Sequence, residues 1–390
     1  MRQRIIYAGN FRLPDFDAAA HRVHGIGKVL REIGYQVDFI GISEQVGNSK
    51  ELWRTFDQFR FLSVNRSAGR LGGIARIDTM ARLLTDEIAA SAGELACVIL
   101  YNSPGKICRT VLREAGKYAI PVVGDVTEWY SSHQLPGGFL NPFFYDGELR
   151  MRFFWPQTGN IIAISDFLEA YYHSSCQVIN IPPLVDLAEN KWHIRSAVPE
   201  TTAVLQIGYA GTPGRKDNLE LLLRAIEELK HEKLHIVLNL YGPSIKDLEK
   251  VLEDVSLLDK LQDRLIFHGR IPHEQLLTRL QKNDFTFLYR PLLRYAMAGF
   301  PTKFVESMAA GIPVIANLSS NIGRFLKDGW NGIIISGDDL TTALKQACSY
   351  SPEQLRWMRN NARRTAEESF DYRVHTARLA TFMTSLKLPR

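Results

Sequence analysis

A chain of 390 residues is long for one hydrophobic core and comfortable for two domains. Apolar residues make up 45% and charged ones 23%, which is ordinary globular usage. The formal charge of +5 suits anionic ligands or an anionic membrane surface and is too weak to argue for nucleic acid. Cys97, Cys108, Cys176 and Cys348 show neither C-x-x-C pairing nor metal-type spacing. No disulfide framework or metal site is expected, and a reducing cytoplasm is the default setting. The opening Met1-Arg-Gln-Arg-Ile-Ile-Tyr-Ala-Gly reads as a first strand, not as a signal peptide. No apolar run reaches the roughly 18 residues of a spanning helix, so contact with the inner face of the cell membrane would be peripheral.

From the N-terminus, short apolar runs occupy residues 5–8, 37–40, 96–101, 122–126, 160–164 and 178–181. A second set follows at 204–209, 234–240, 265–267, 285–288, 313–316 and 333–335. Runs this short and this apolar fit strands buried on both faces of parallel sheets. Amphipathic stretches separate them, as at 218–232, where Leu219, Leu222, Leu223, Ile226 and Leu229 recur at helical spacing. The alternation predicts an α/β protein of two Rossmann-like domains facing a central cleft. The expected first domain covers 1–186, a linker 187–203, and the second domain 204–369, with a last helix at about 370–390 packing back on the first. Arg356, Arg359, Arg363 and Arg364 are expected to form a solvated basic face on the helical tail.

The first turn, Ala8-Gly9-Asn10-Phe11, lacks a G-x-G-x-x-G fingerprint, because Gly25 and Gly27 fall inside the next helix. No P-loop run occurs either. Asn10 and Arg22 sit where this turn and helix start face the cleft, and are candidates for the acceptor side; the alternative for the His21-Arg22 pair is plain surface charge. Val122-Val-Gly-Asp125-Val-Thr-Glu128 ends a strand with two carboxylates. Polar groups at the C-terminal end of a parallel strand face the crevice where such folds bind ligands. Asp125 and Glu128 are therefore catalytic candidates, with His133 behind them; the alternative for Asp125 is a cap on the next turn.

In the second half, Gly211-Thr-Pro-Gly214-Arg215-Lys216 joins a strand to a helix through a Gly-rich loop with two cations. Backbone amides, a helix N-terminus and these cations together suit a diphosphate. The strongest stretch is Ala298-Gly299-Phe300-Pro301-Thr302-Lys303-Phe304-Val305-Glu306, ending at Gly311-Ile-Pro313. Proline favours the first turn of a helix, and Lys303 and Glu306 are three residues apart, so they share a face. Lys303 is expected at phosphate and Glu306 at two vicinal ribose hydroxyls.

These segments resemble the family 4 glycosyltransferases, a retaining group with the GT-B fold. The Gly211 to Lys216 loop resembles that family's diphosphate loop, and Phe267-His-Gly-Arg-Ile-Pro-His-Glu-Gln-Leu its strand-helix segment. Glu306-Ser-Met-Ala-Ala-Gly-Ile-Pro-Val-Ile resembles its signature, and Asp328-Gly-Trp-Asn-Gly332 its terminal turn. The first half matches more loosely, at Gly34-Tyr-Gln-Val, Ile162-Ala-Ile-Ser and Ile181-Pro-Pro-Leu-Val-Asp. Three departures stand out. Ala298 replaces the first of the family's two glutamates, Thr212 the arginine of its phosphate loop, and Thr127–Glu128 the histidine of its first domain.

The resemblance implies transfer of a hexose from a nucleoside diphosphate sugar to an acceptor hydroxyl, with retention, in bacterial cell-surface polysaccharide or glycolipid assembly. The donor would be held by Gly211, Arg215, Lys216, Arg290, Gly299, Phe300, Thr302, Lys303 and Glu306. No cofactor is implied, and without a D-x-D motif no metal is either. The acceptor is a glycan or a lipid-linked molecule. Read from the residues, an arginine-rich stretch at 60–82 and an aromatic one at 139–157 suit a lipid-linked or polyanionic acceptor; the alternative is a solvated charged face and an ordinary core segment. Rival readings are a sugar-nucleotide epimerase or phosphorylase on the same fold, or a homologue that binds nucleotide sugar or a partner without turnover.

Overall fold

In the computed structural model, residues 3–14, 17–46, 53–66, 72–193, 204–214 and 217–390 are described. They form two compact units. One comprises Met1–Leu184, Met297–Phe300 and Tyr372–Arg390, and the other Val185–Ala296 and Pro301–Asp371.

The first unit is built on eight strands: β1 (Arg4–Gly9), β2 (Gln36–Val46), β3 (Arg54–Phe56), β4 (Phe59–Arg66), β5 (Leu95–Tyr101), β6 (Val122–Val126), β7 (Asn160–Ala163) and β8 (Gln177–Asn180). Their order is β3-β4-β2-β1-β5-β6-β7-β8, with all pairings parallel except β3 with β4. The central strands have no exposed face, as the continuous Ile-Val-Leu runs require. Helix Ala18–Glu32 begins at Asp17, whose carboxylate accepts from the Ala20 amide at 2.7 Å. Val23, Ile26, Val29 and Leu30 of that helix share a core with Leu379, Phe382 and Met383 of helix Thr376–Thr384. Leucine, isoleucine or phenylalanine buried in this way contributes about 1.5–3 kcal/mol apiece.

The sequence reading missed β3 and β4, the second of which overlaps the start of the arginine-rich stretch. Phe59 and Phe61 point into the core, while Arg60 lies over the Trp53 ring at 4.6 Å and Arg54 over Phe61 at 4.7 Å. β3 is the sheet edge, where charged side chains are common, and in β4 Arg60 interrupts the buried Phe59, Phe61, Leu62 and Val64.

The second unit has β9 (Leu205–Ala210), β10 (Ile236–Tyr241), β11 (Leu265–Gly269), β12 (Phe285–Leu288), β13 (Val314–Ala316) and β14 (Gly332–Ile334). All pair in parallel, in the order β11-β10-β9-β12-β13-β14. Helix Leu219–His231 buries Leu219, Leu222, Leu223, Ile226 and Leu229 against this sheet, the stripe its spacing predicts. Helix Pro352–Ser369 starts with a Ser351–Gln354 capping box and buries Leu355, Met358, Ala362 and Ala366. Its basic face is not wholly solvated. Arg359 is buried, donating to the carbonyls of Asn283 (2.8 Å) and Gln281 (2.6 Å). Arg363 donates to those of Trp192 and Ala309, both at 2.8 Å. The loop after helix His273–Leu280 leaves carbonyls without helical partners, and the Arg359 guanidinium supplies their donors. Of the expected linker, residues 194–203 lie outside the described residues, and Trp192 before them is buried in the second unit.

Candidate functional site

Each sheet reverses its winding once. In the first unit the chain moves outward from β1 through β2 in one direction and from β5 through β8 in the other. In the second the reversal falls between β9 and β12. The carboxyl ends of strands at such a point flank an open crevice, which is where doubly wound folds bind ligands.

In the second unit, β9 ends at Gly211, whose φ of +117° lies in the left-handed region. A Cβ there would sit 3.0 Å from the Lys303 ammonium, so glycine allows the lysine to lie directly over the strand end. Lys303 is also over the Tyr209 ring at 4.4 Å and 3.8 Å from Asp217. Asp217 is nearly fully buried and accepts from Arg290 at 2.6 Å and from the Gly214 amide at 2.9 Å. Arg290 follows β12, and its backbone exchanges hydrogen bonds with the Asn317 side chain beyond β13, at 2.9 and 2.7 Å. One buried carboxylate thus gathers two cations, one from a loop and one from a helix start, beside a glycine turn. Arg290 and Lys303 stay 14% and 30% exposed.

Thr302 begins helix Thr302–Ala309, and Gly311, with φ of +66°, ends it. Glu306, one turn in, lines a hollow of about 30 Å³ together with Lys303, Ser307, Gly208 and Thr286, room for a single water. Burial pushes its carboxyl up to about 7, although Lys303 and Lys191 pull the other way. It can therefore pass between hydrogen-bond donor and pure acceptor near neutral pH.

Of the expected donor residues, Gly211, Arg290, Thr302, Lys303 and Glu306 come together in this unit. Arg215 and Lys216 lie outside the described residues. Gly299 and Phe300 pack with the first unit. The sequence reading passed over Asp217, which organises the cluster. Its position beside the two loop cations was the available signal.

In the first unit, Gly9 lets β1 approach β5 closely; a Cβ there would fall 2.2 Å from the Tyr101 carbonyl oxygen. Asn10 follows, exposed at the strand end. Asp125 and Arg22 depart from expectation. Instead of facing a ligand, they meet each other inside the unit, 0% and 3% exposed. Arg22 donates to Asp125 at 2.6 and 2.9 Å and to the Ile181 carbonyl at 3.0 Å, while the Tyr7 hydroxyl donates to Asp125 at 2.5 Å. The pairing also replaces the two alternatives, a turn cap and a surface charge. Burial alone would lower the guanidinium pKa, but the Asp125 carboxylate outweighs it and raises it. Burial, and then Asp125, push the Tyr7 phenol well above its usual value. The physical reason is that a carboxylate this deep is stable only with a charged, hydrogen-bonded partner.

Glu128, three residues on, is half-buried. It accepts from Asn102 Nδ2 at 3.2 Å and from the Tyr130 hydroxyl. Asn102 follows β5 and also donates to Thr127 Oγ1 at 2.6 Å. Asn10, Asn102 and Glu128 line one cavity of about 540 Å³, within the range of small-molecule sites. His133 is exposed in a short helical turn, Ser132–Gln134. Asn102 was missed because the strand-end rule was applied to β6 and not to β5, whose run it follows directly.

Residues 190–365 match the family described as glycosyl transferases group 1. The GDP-mannose-dependent alpha-(1-6)-phosphatidylinositol monomannoside mannosyltransferase of Mycolicibacterium smegmatis is 25% identical over 179 residues, 44% of this chain and 45% of that protein. The putative colanic acid biosynthesis glycosyltransferase WcaL of Escherichia coli is 24% identical over 177 residues, 44% of this chain and 43% of that protein. The chain thus spans less than half the length of these curated relatives. The solved sucrose-phosphate synthase of Thermosynechococcus elongatus superposes with a TM-score of 0.71 at 17% identity, over 98% of each chain, a likeness of fold. Residues 190–365 thus match the glycosyl transferases group 1 family, and the chain along its length has the GT-B fold.

Proposed function

We propose that this protein is a retaining glycosyltransferase that moves a hexose from a nucleoside diphosphate sugar to an acceptor hydroxyl, in the assembly of a cell-surface glycolipid or polysaccharide. The observation that carries this reading is the cation pair of the second unit, Arg290 and Lys303, held by Asp217 beside Gly211 with Glu306 one turn away. In such a transfer the acceptor oxygen bonds to the anomeric carbon. The bond from that carbon to the diphosphate breaks, and the diphosphate departs with the electron pair and takes up the hydroxyl proton. The barrier lies largely in charge building on the leaving group, so fixed cations at the diphosphate lower it. Lys303 and Arg290 take that role without a metal, and Glu306 receives the ribose hydroxyls. Gly299, Phe300 and Thr302 are assigned to the donor as well. In the first unit Glu128 is the carboxylate assigned to the sugar or its acceptor, Asn10 and Asn102 position the acceptor, and Asp125 with Arg22 supports the strand that carries Glu128.

Among the described residues no helix is long and apolar enough to cross a membrane. Exposed Phe139, Leu140, Phe143 and Phe153 support peripheral contact with a bilayer instead.

Thermal stabilisation by a panel of UDP- and GDP-sugars tests the donor assignment directly, since a bound ligand raises Tm in proportion to its affinity. Lys303→Ala and Glu306→Ala should each weaken nucleotide binding roughly tenfold to hundredfold, the scale of one charged hydrogen bond. Wild-type affinity in both variants would move the donor elsewhere. Product analysis with and without acceptor separates transfer from epimerisation or phosphorolysis.

A further inference from the structure

We infer that the large cavity of the first unit is built for an amphiphilic acceptor, an apolar chain carrying a phosphate-like anionic head, an inference that rests on the transferase reading above. The cavity's walls are largely hydrocarbon, with Ile74, Ile77, Met80, Ile107, Phe143 and Phe144 among them. Its polar end is formed by Asn10, Asn102 and Glu128 at the ends of β1, β5 and β6. A free sugar offers hydroxyls on every side, and a pocket with so much apolar wall would strip them of water without return. A chain with a polar head fits both ends.

Two further observations favour an anionic head. Arg76 and Arg150 both line the cavity. Arg150 donates from Nη1 to the carbonyls of Asn102 (3.1 Å) and Ser103 (3.4 Å), which holds the guanidinium at the polar end, yet its Nε is buried with no hydrogen-bond partner. A buried guanidinium N–H without an acceptor is a cost that an anionic oxygen brought by a ligand would remove. Arg150 also opens a π-helical turn, Arg150–Phe154, between helices Pro142–Leu149 and Trp155–Thr158. Such turns are rare and concentrate at functional sites.

The rim of the cavity matches the chain. Helix Pro142–Leu149 buries none of its residues, although it holds Phe143, Phe144, Tyr145 and Leu149. Phe143 is 68% exposed and Leu140, just before the helix, 91%. Apolar side chains left uncovered at the lip of an apolar cavity suit a ligand whose hydrocarbon continues outward from it.

The test uses the whole chain and calorimetry with four probes: decyl phosphate, octyl phosphate, decyl maltoside and inorganic phosphate, each below its micelle concentration. Decyl phosphate should bind about tenfold more tightly than octyl phosphate, because it buries two more methylenes. Decyl maltoside, with the chain alone, should bind at least tenfold more weakly, and inorganic phosphate should give no heat. Arg150→Gln should weaken decyl phosphate at least tenfold and leave decyl maltoside unchanged. Phe143→Ser, at an exposed position that tolerates a polar residue, should reduce the chain-length dependence. Equal affinity for octyl and decyl phosphate, equal affinity for decyl phosphate and decyl maltoside, or wild-type binding by Arg150→Gln would each overturn the inference. Nucleoside diphosphate binding, measured on the same samples, reports on the second unit. Its loss would count against the transferase reading, and failure of the alkyl phosphates with nucleotide binding intact counts against this inference alone.

Discussion

The two units each place a carboxylate against cations close to the winding reversal of a parallel sheet, and the two clusters have opposite characters. In the first, Asp125 and Arg22 are 0% and 3% exposed by side chain and satisfied by each other, Tyr7 and a backbone carbonyl. In the second, Asp217 is 3% exposed, but its partners Arg290 and Lys303 remain 14% and 30% exposed. A closed ion pair has spent its charge on holding the fold. One whose cations reach the surface keeps an excess of positive charge for a ligand. Residue types are alike in the two clusters; solvent access separates them.

Asp125→Asn should have the largest effect on stability. It leaves Arg22 buried without a countercharge, which costs about 3–5 kcal/mol, and urea unfolding should show the first unit weakened by that amount. An unchanged unfolding midpoint together with lost turnover would break the comparison and return Asp125 to the chemistry. Glu128→Gln comes next. Glu128 lies outside the closed pair, so its loss should lower kcat by about a hundredfold, with nucleotide affinity and melting unchanged. Full activity in that variant would make His133 the next residue to test.

Glu306→Gln sharpens the other side of the comparison through its pH dependence. The folded carboxyl titrates at about 7 against an ordinary value of 4.5, so the native state holds its proton over a range where the unfolded chain has lost it. Stability from this group is therefore complete at pH 4 and falls as pH rises through 7. Glutamine removes the penalty, so the variant should be about 1–3 kcal/mol more stable than wild type at pH 8 and equal to it at pH 4. Nucleotide binding should be weakened at both. The smallest expected effect is that of EDTA, which should leave activity unchanged, because on the proposed reading Lys303 and Arg290 supply the positive charge at the diphosphate. Loss of activity that magnesium or manganese restores would show the cation pair to be insufficient.

Much of the fold was legible because buried parallel strands leave a plain mark. The runs at 122–126 and 285–288 coincide with β6 and β12 residue for residue. The edge strand β3 and its neighbour β4 were not legible, since the exposed Arg54 and Arg60 interrupt their apolar pattern. On the second unit's site, spacing placed Lys303 and Glu306 on one helical face, and the structure has them lining one hollow. Arg150 was passed over because nothing local distinguishes it from surface residues of the same type, whereas Asp217 beside the loop cations and Asn102 after the β5 run each carried a local signal that went unused.

By itself the sequence determined the alternation of strand and helix, the glycine turns at Gly211 and Gly311, and the helix that carries Lys303 and Glu306. Each depends on contacts within a few residues, and helical spacing or backbone freedom encodes those directly. Only the tertiary structure decided which charges are consumed. Arg22 reaches Asp125 across 103 residues, Arg290 reaches Asp217 across 73, and Arg359 reaches the Asn283 carbonyl across 76. The energy of a charge depends on how much water surrounds it and what lies within a few ångströms. Both are set by chain segments distant in sequence, so no local pattern could have told the buried aspartate from the carboxylate beside it that lines the cavity.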